Sequence, residues 1–340
     1  MKTQPITVGI VGLGRAGWSL HMEPVLEIPD FKIVAVADPL EERCREAHNR
    51  IGCETYSCTG DLLKGSGAEL VVVASPSLSH FADAALVLGA GRHCVCEKPM
   101  ALETDEAFEL VGMARERGLG LFVHHTYLHR PQFHHMRSVL ESGVLGELFA
   151  ARVCWAGYNR RWDWQTLRKN GGGQMNNIGS HVLSILLPLL GSRVSDIFAD
   201  LRNVKDAGDA EDHVEAFLRT EGGVTASVVV STAMALAVPR WSLCGTRGAF
   251  LSDEKTSTIK SFEPGALADV SVIDAAAPGR EYMSENIPWK ETTVEVPPAP
   301  VAGFHQNVLD CLMSGAEPIV TPESAAEVVR VTNEILAFRK

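Results

Sequence analysis

No stretch of the chain approaches the roughly 18–20 consecutive apolar residues that a membrane-spanning helix needs. Basic residues are in deficit: 31 Lys and Arg stand against 42 Asp and Glu, leaving a formal net charge of −11. A nucleic-acid backbone is held by clustered Lys and Arg, so that class of partner is excluded. The eight cysteines (44, 53, 58, 94, 96, 154, 244 and 311) lack the paired spacing of a structural zinc site. No internal repeat or low-complexity tract occurs. Met1–Pro5 runs into a β-branched stretch without the apolar core and cleavage site of a signal peptide. A cytoplasmic protein with reduced thiols is the expectation. No membrane contact is expected either.

What is present describes a globular chain: 46% hydrophobic and 21% charged residues. Its 340 residues suggest two domains, read here as 1–125 and 126–340, with the terminal helices (304–339) returning to the first. Ile6–Val11 is an apolar run leading into Gly12–Leu13–Gly14–Arg15–Ala16–Gly17, and a helix follows through Leu26. Strand, G-x-G-x-x-G and helix together make the dinucleotide fingerprint. Gly12 permits the tight turn, Gly14 lets backbone approach a pyrophosphate, and Gly17 lets the helix pack on the strand. Gly12, Leu13, Gly14, Arg15 and Ala16 are therefore expected at the cofactor, where the helix N-terminus favours phosphate.

Phe31–Ala37 reads as the second strand and Asp38 ends it. A carboxylate there can bond the ribose hydroxyls and would repel a 2′-phosphate, so NAD is expected over NADP. The bland alternative is a turn or cap role, since Asp-Pro favours turns. Arg43 lies nearby and could soften that preference, although it is expected on the solvated face of the next helix. Glu69–Ala74 is a further strand, closed by the Ser75–Pro76–Ser77 corner, which would border the cofactor. His80 opens the following helix, as a structural residue or as a contact. A strand over Arg92–Cys96 ends in Glu97–Lys98–Pro99. Ligands in open α/β sheets lie outside the carboxyl ends of strands, which puts Glu97 and Lys98 at a ligand. Proline allows the Lys98–Pro99 bond to be cis. Alternation of strands and helices continues through Gly120–Val123, the pattern of a doubly wound parallel sheet.

His124, His125, His129, His134 and His135 form an unusual concentration of imidazoles. Their spacing matches no common zinc pattern, and no metal is expected. Some line the cleft in this reading, and the others sit on a helix over Gln132–Ser142. The second half changes texture: Phe149–Trp155, Val214–Arg219, Thr225–Thr232, Arg240–Cys244 and Ala249–Leu251 alternate partly, as in a sheet with one wet face. Gly245–Gly248 is hairpin-like. Glu263–Pro300 reads as irregular, before two helices over Phe304–Ser314 and Pro322–Arg339. The loop Trp155–Trp164 carries aromatics and arginines, which suit the C–H faces and hydroxyls of a polyol. A packing role is the alternative. Candidate substrate contacts are His125, Tyr127, Trp155, Arg160, Arg161, Trp164 and Asn177.

Gly171–Gly172–Gly173 precedes a helix carrying Asn177 and His181, four apart and so on one face. His181 titrates near neutrality and suits proton exchange with an alcohol. Together, Gly12–Gly17, Ser75–Ser77 with His80, Glu97–Lys98–Pro99, Gly171–Gly173 with Gly179 and His181, and Gly245–Gly248 resemble the glucose–fructose oxidoreductase / inositol dehydrogenase / rhizopine-catabolism family (Gfo/Idh/MocA). The resemblance spans nearly the whole chain. It implies a Rossmann domain followed by an α/β domain with a large, mostly antiparallel sheet, and homodimers or homotetramers formed through that sheet. It also implies NAD(P)-linked hydride transfer at a sugar or cyclitol hydroxyl, with Lys98 and His181 at the reacting carbon. Many relatives carry Asp where this chain has Asn177, and asparagine cannot take a proton. Lys98 is then expected to polarise the hydroxyl, His181 to exchange its proton, and Asn177 to orient the substrate. Thr126 and Leu128 replace the family's Asn–Arg pattern after the sixth strand. Two other readings follow from the same residues: an NAD-retaining lyase or glycosidase acting through a transient keto-sugar, and a ligand-sensing regulator without turnover.

Overall fold

The computed structural model describes residues 4–339 apart from 206, 237, 254, 276–282 and 299–302. Met1–Thr3 of the opening stretch and Ala299–Pro300 of the proline run thus lie outside the described residues. Short β-branched runs in the first half form strands Ile6–Val11 (β1), Phe31–Ala37 (β2), Glu54–Tyr56 (β3), Leu70–Val73 (β4), His93–Cys96 (β5) and Leu121–Val123 (β6). They make one parallel sheet in the order β3-β2-β1-β4-β5-β6. The chain reverses direction across the sheet between β1 and β4, which is where such folds open a crevice. Register fixes what borders it. Val11 pairs with Val73, Val73 with Cys96, and Cys96 with Val123. The next residues, Gly12, Ala74, Glu97 and His124, therefore emerge level along one edge.

The segment after Gly14 departs from the simple helix expected. Ala16–Met22 is a π-helix, continued by an α-helix over Glu23–Leu26. π-turns inside helices are uncommon and cluster at functional sites. A second one, Met175–Gly179, precedes the α-helix Ser180–Leu189. Both short π segments sit beside the crevice residues described below.

The second sheet contains Leu148–Ala156 (β7), Val194–Arg202 (β8), His213–Thr220 (β9), Thr225–Ser231 (β10), Trp241–Gly245 (β11), Gly248–Ser252 (β12), Thr256–Ser261 (β13) and Lys290–Glu295 (β14). Its order is β14-β13-β12-β11-β7-β10-β9-β8, with β7 and β10 parallel and the other neighbours antiparallel. The chain is thus α/β, a parallel Rossmann sheet joined to a mostly antiparallel one. β14 corrects the reading of 263–300 as wholly irregular. Its Lys-Glu-Thr-Thr-Val-Glu sequence is almost entirely exposed, so no burial pattern announces it.

The terminal helices pack on both sides of the first sheet. Phe304, Val308 and Leu309 of the Phe304–Ser314 helix share a core with Ile6, Val8 and Ile10. Pro322–Leu336, three residues shorter than predicted, contributes Ala325, Val329 and Ile335 to the larger core with Leu110 and Leu183.

Candidate active site

Gly12 has φ +87°, and a Cβ there or on Gly17 would overlap main chain, Ala74 in the first case and the Gly12 carbonyl in the second. Gly14 by contrast faces open space, with nothing within 4 Å of where its Cβ would lie. Two glycines that close the strand–turn–helix crossing and one that leaves it accessible are what a dinucleotide backbone requires. The turn therefore fits the cofactor. Arg15 is exposed beside it, and its charge is felt at Lys98.

Asp38 is buried, and its oxygens already accept from the Leu13 amide at 2.7 Å and the Leu40 amide at 2.9 Å. The turn role held open in the sequence is thus real, although an ionised carboxylate has further acceptor capacity. Arg43 stays exposed on its helix, as expected, and also reaches back to the carboxylate. Its guanidinium lies 3.3 Å from Asp38 Oδ2.

Lys98 follows β5 and precedes a cis Lys98–Pro99 peptide. Its ammonium donates to the Asn177 carbonyl at 2.9 Å, with the Asn177 side-chain oxygen farther away at 3.5 Å. The main-chain group of Asn177 is thus the principal partner, a role the sequence did not indicate. Asn177 and His181 share one face, so the ammonium reaches a point one turn from the imidazole across 79 residues of sequence. Burial, and then the positive charges of Arg15 and Arg161, push the Lys98 pKa below 10.5, despite the opposing pull of Glu97. Burial followed by the charge of Lys98 holds His181 well below 6.5, and its Nδ1 has no protein partner. An ammonium and a neutral imidazole thus share one desolvated place. Such a pair can donate a hydrogen bond to an oxygen and accept its proton.

The helix that presents His181 is fixed at its start. Glu211, itself buried, accepts from the Met175 amide at 3.1 Å and from Arg339 at 2.6 Å. Its carboxylate occupies the space that a side chain on Gly173 would need.

Two residues expected at the cofactor have their side chains engaged by the protein itself. Of the Glu97 carboxylate, Oε1 accepts from His124 Nδ1 at 2.8 Å and His21 Nε2 at 3.1 Å, and Oε2 from the Lys98 amide at 3.0 Å. Burial alone would raise its pKa, but the two imidazole hydrogen bonds outweigh that and hold it well below 4.5. His80 is buried between two carbonyls, Ser75 and Pro99, each 2.7 Å from a ring nitrogen. It joins the corners that follow β4 and β5 and has no nitrogen left for a ligand. Ser75 Oγ donates to Asp83, while Pro76 is exposed and Ser77 half-buried.

Sequence reasoning missed His21 and His305. His305 Nε2 lies 3.0 Å from His21 Nδ1, and burial drives their pKa values down to about 2 and about 4. Neither sits in a motif, and they are 284 residues apart. Only the packing of the Phe304–Ser314 helix on β1 brings them together.

On the other side of His181, the Tyr127 ring lies 4.8 Å from the imidazole and 4.9 Å from Trp155. Arg130 stacks on Tyr127 at 3.8 Å and Arg240 on Trp155 at 4.5 Å. His125 is buried near His181, ring centroids 6.4 Å apart, and burial lowers it to about 3. His125, Tyr127 and Trp155 are thus brought to the pair. Arg161 reaches it through its charge while paired to Asp163 at 2.6 Å. Arg160 and Trp164 stand exposed on the same loop. His134 and His135 belong to the helix Pro131–Glu141, where His135 Nε2 contacts Ser257 at 2.7 Å, so they lie outside this cluster.

Level strand ends, an open glycine turn and a desolvated ammonium–imidazole pair define a Rossmann-fold, NAD-binding oxidoreductase. The chain belongs to the Gfo/Idh/MocA family. Residues 6–125 match the oxidoreductase family with NAD-binding Rossmann fold, and residues 133–251 match the GFO/IDH/MocA C-terminal domain. A dTDP-3,4-didehydro-2,6-dideoxy-alpha-D-glucose 3-reductase from Actinomadura kijaniata is 30% identical over 67% of this chain and 68% of its own. A D-apiose dehydrogenase from Paraburkholderia graminis is 27% identical over 88% of this chain and 78% of its own. The crystal structure of an NAD-binding protein from Listeria innocua superposes with a TM-score of 0.82 at 27% identity, covering 98% and 94% of the two chains. Among the described residues, no helix is long and apolar enough to cross a membrane.

Proposed function

We propose that this enzyme moves hydride between a secondary hydroxyl of a sugar, sugar derivative or cyclitol and C4 of NAD. The observation that carries the reading is the Lys98–Asn177 hydrogen bond, which places an ammonium one turn from an unprotonated, partner-free imidazole. When bound, the nicotinamide supplies the hydride acceptor or donor. Lys98 stabilises the oxygen as negative charge develops, and His181 takes its proton. Tyr127 and Trp155 offer faces to the C–H surface of the ring, beside the guanidinium groups of Arg130 and Arg240. The sugar chemistry named in the two relatives supports this substrate class. Turnover of a panel of sugars, inositols and their keto forms with NAD or NADH tests it; no reaction with any member would refute it.

The pH profile follows from the two shifts. A base is available only above its pKa, and that of His181 lies well below 6.5. Oxidation is therefore expected to keep a flat kcat/KM from pH 8 down through about 6.5, with the acid limb lower still. On the alkaline side the limb falls below 10.5, where Lys98 loses its proton. An acid limb centred above 6.5 would contradict the assignment of His181.

Preference for NAD over NADP rests on Asp38, whose buried carboxylate would repel a 2′-phosphate. Wild-type kcat/KM is expected to favour NAD by at least about tenfold. Asp38→Ser should shrink that ratio, because Arg43 then loses its partner and can meet a phosphate. Higher efficiency of the wild type with NADP would overturn the assignment.

Asn177 favours one rival reading, a lyase or glycosidase that keeps NAD bound, since no carboxylate stands where many relatives have one. Cleavage of a sugar without net NADH formation would select it. Association is proposed through the second sheet, whose exposed face carries Phe149, Phe198, Phe217 and Leu251, with Phe198 and Phe217 paired across β8 and β9. Exposed aromatics grouped in this way mark interaction surfaces. Sedimentation of Phe198→Asp/Phe217→Asp as a smaller species than wild type would support a homodimer or homotetramer; a monomeric wild type would exclude both.

A further inference from the structure

Three imidazoles from remote parts of the chain meet beside Glu97. His21 lies in the π-helix Ala16–Met22, His124 just beyond β6, and His305 in the helix Phe304–Ser314. All three are buried. One ring nitrogen of each lies within 4.8 Å of those of the other two, and the ring centroids are 4.3, 5.2 and 5.7 Å apart. Their protonation is constrained by Glu97. Its Oε1 can only accept, so His21 Nε2 and His124 Nδ1 carry the hydrogens that face it. In the neutral rings the lone pairs are then on His21 Nδ1 and His124 Nε2. His305 Nε2 faces the first of these at 3.0 Å.

Histidines that bind metals are held in this way, with the second nitrogen donating to a carboxylate that fixes tautomer and ring direction. We propose that His21, His124 and His305 form a site for one divalent transition-metal ion of the zinc class, with Glu97 orienting two of the three ligands. Tetrahedral zinc with Zn–N bonds of about 2.0–2.1 Å separates its ligand nitrogens by roughly 3.3–3.5 Å. The His21–His305 pair needs to open by only a few tenths of an ångström to match. Three imidazoles suit zinc, copper, nickel or iron(II) and do not suit magnesium or calcium. The spacing of residues 124–135 gave no hint of a metal because two of the three ligands lie outside that stretch.

Lys98 and His181 are not ligands in this site, so the ion does not replace them in the reaction. It would instead tie the first helix, the end of β6 and the helix Phe304–Ser314 to one point, and hold Glu97, which also accepts from the Lys98 amide. The same 3.0 Å separation can hold a single N–H between two rings. That is the competing state, and experiment separates the two.

Untagged full-length protein, stripped with chelator and reconstituted with zinc or cobalt(II), is the material for the test. About one zinc per chain is expected by elemental analysis after dialysis. The cobalt form should show the intense visible bands of a four-coordinate ion, and zinc should raise the melting temperature of the stripped protein by several degrees. His305→Ala should abolish all three effects, whereas His134→Ala, altered outside the cluster, should keep them. Wild-type protein that retains less than about a tenth of an equivalent of zinc, or gives no four-coordinate cobalt spectrum, would show that the imidazoles only hydrogen-bond to one another. Full metal retention by His305→Ala would equally overturn the site. The wild-type measurements decide the matter even if the variant fails to fold.

Discussion

Lys98→Met is expected to lower kcat by about 10²–10³-fold while leaving the melting temperature unchanged or raised. The fall in rate follows from losing the cation that meets developing negative charge, a contribution of that size for a single positioned donor. The stability result follows from the surroundings. Lys98 is desolvated, and its hydrogen-bond partner is a neutral carbonyl, not a carboxylate. Folding therefore gains little from the ammonium, and an apolar side chain of similar length removes its desolvation cost. His181→Ala should cost about 10²–10⁴-fold, the range for a general base. Steady-state kinetics and thermal denaturation of both variants provide the check. Turnover within about tenfold of wild type for either, only ~1.4 kcal/mol in barrier, would remove that residue from the reaction.

A second pair of substitutions separates folding from binding within the glycine turn. Gly17→Ala places a methyl group against the Gly12 carbonyl oxygen, which belongs to the main chain and cannot swing away. The helix must then lift from β1, at an expected cost of about 3 kcal/mol or more. Gly14→Ala meets nothing within 4 Å, so stability should change by less than about 1 kcal/mol. The same methyl group points into the space where the pyrophosphate approaches, so NAD affinity should fall at least about tenfold. Urea denaturation and NAD titration distinguish the two. A stable Gly17→Ala, or an unstable Gly14→Ala with normal NAD binding, would reverse the roles assigned to these positions.

Much of this was legible in the chain, for identifiable reasons. β4 is a continuous apolar run buried throughout, and β1, β2 and β5 are mostly so, the signature of strands covered on both faces. Lys98 and His181 drew attention because each lies beside a backbone signal, the X-Pro corner in one case and the glycine run in the other. The strands that escaped notice, β3, β8, β13 and β14, are edge or near-edge elements with polar, weakly alternating sequences. Glu97 and His80 were placed at the cofactor because strand-end residues usually face the ligand. Their buried hydrogen bonds go to the Lys98 amide and the histidines in one case and to the Ser75 and Pro99 carbonyls in the other. His21 and His305 carry no local pattern, so their meeting depends wholly on tertiary packing. Asn177 shows a further limit: the sequence drew attention to its amide side chain, whereas its main-chain carbonyl holds the lysine.

The most direct measurement is a crystal structure of the protein soaked with NAD. The dinucleotide should lie along Gly12–Gly17, with the nicotinamide ring beside Lys98 and His181 and room for a substrate carbon against its C4. A nicotinamide found on another surface, or a glycine turn that excludes the pyrophosphate, would contradict the assignment of that pair to hydride transfer.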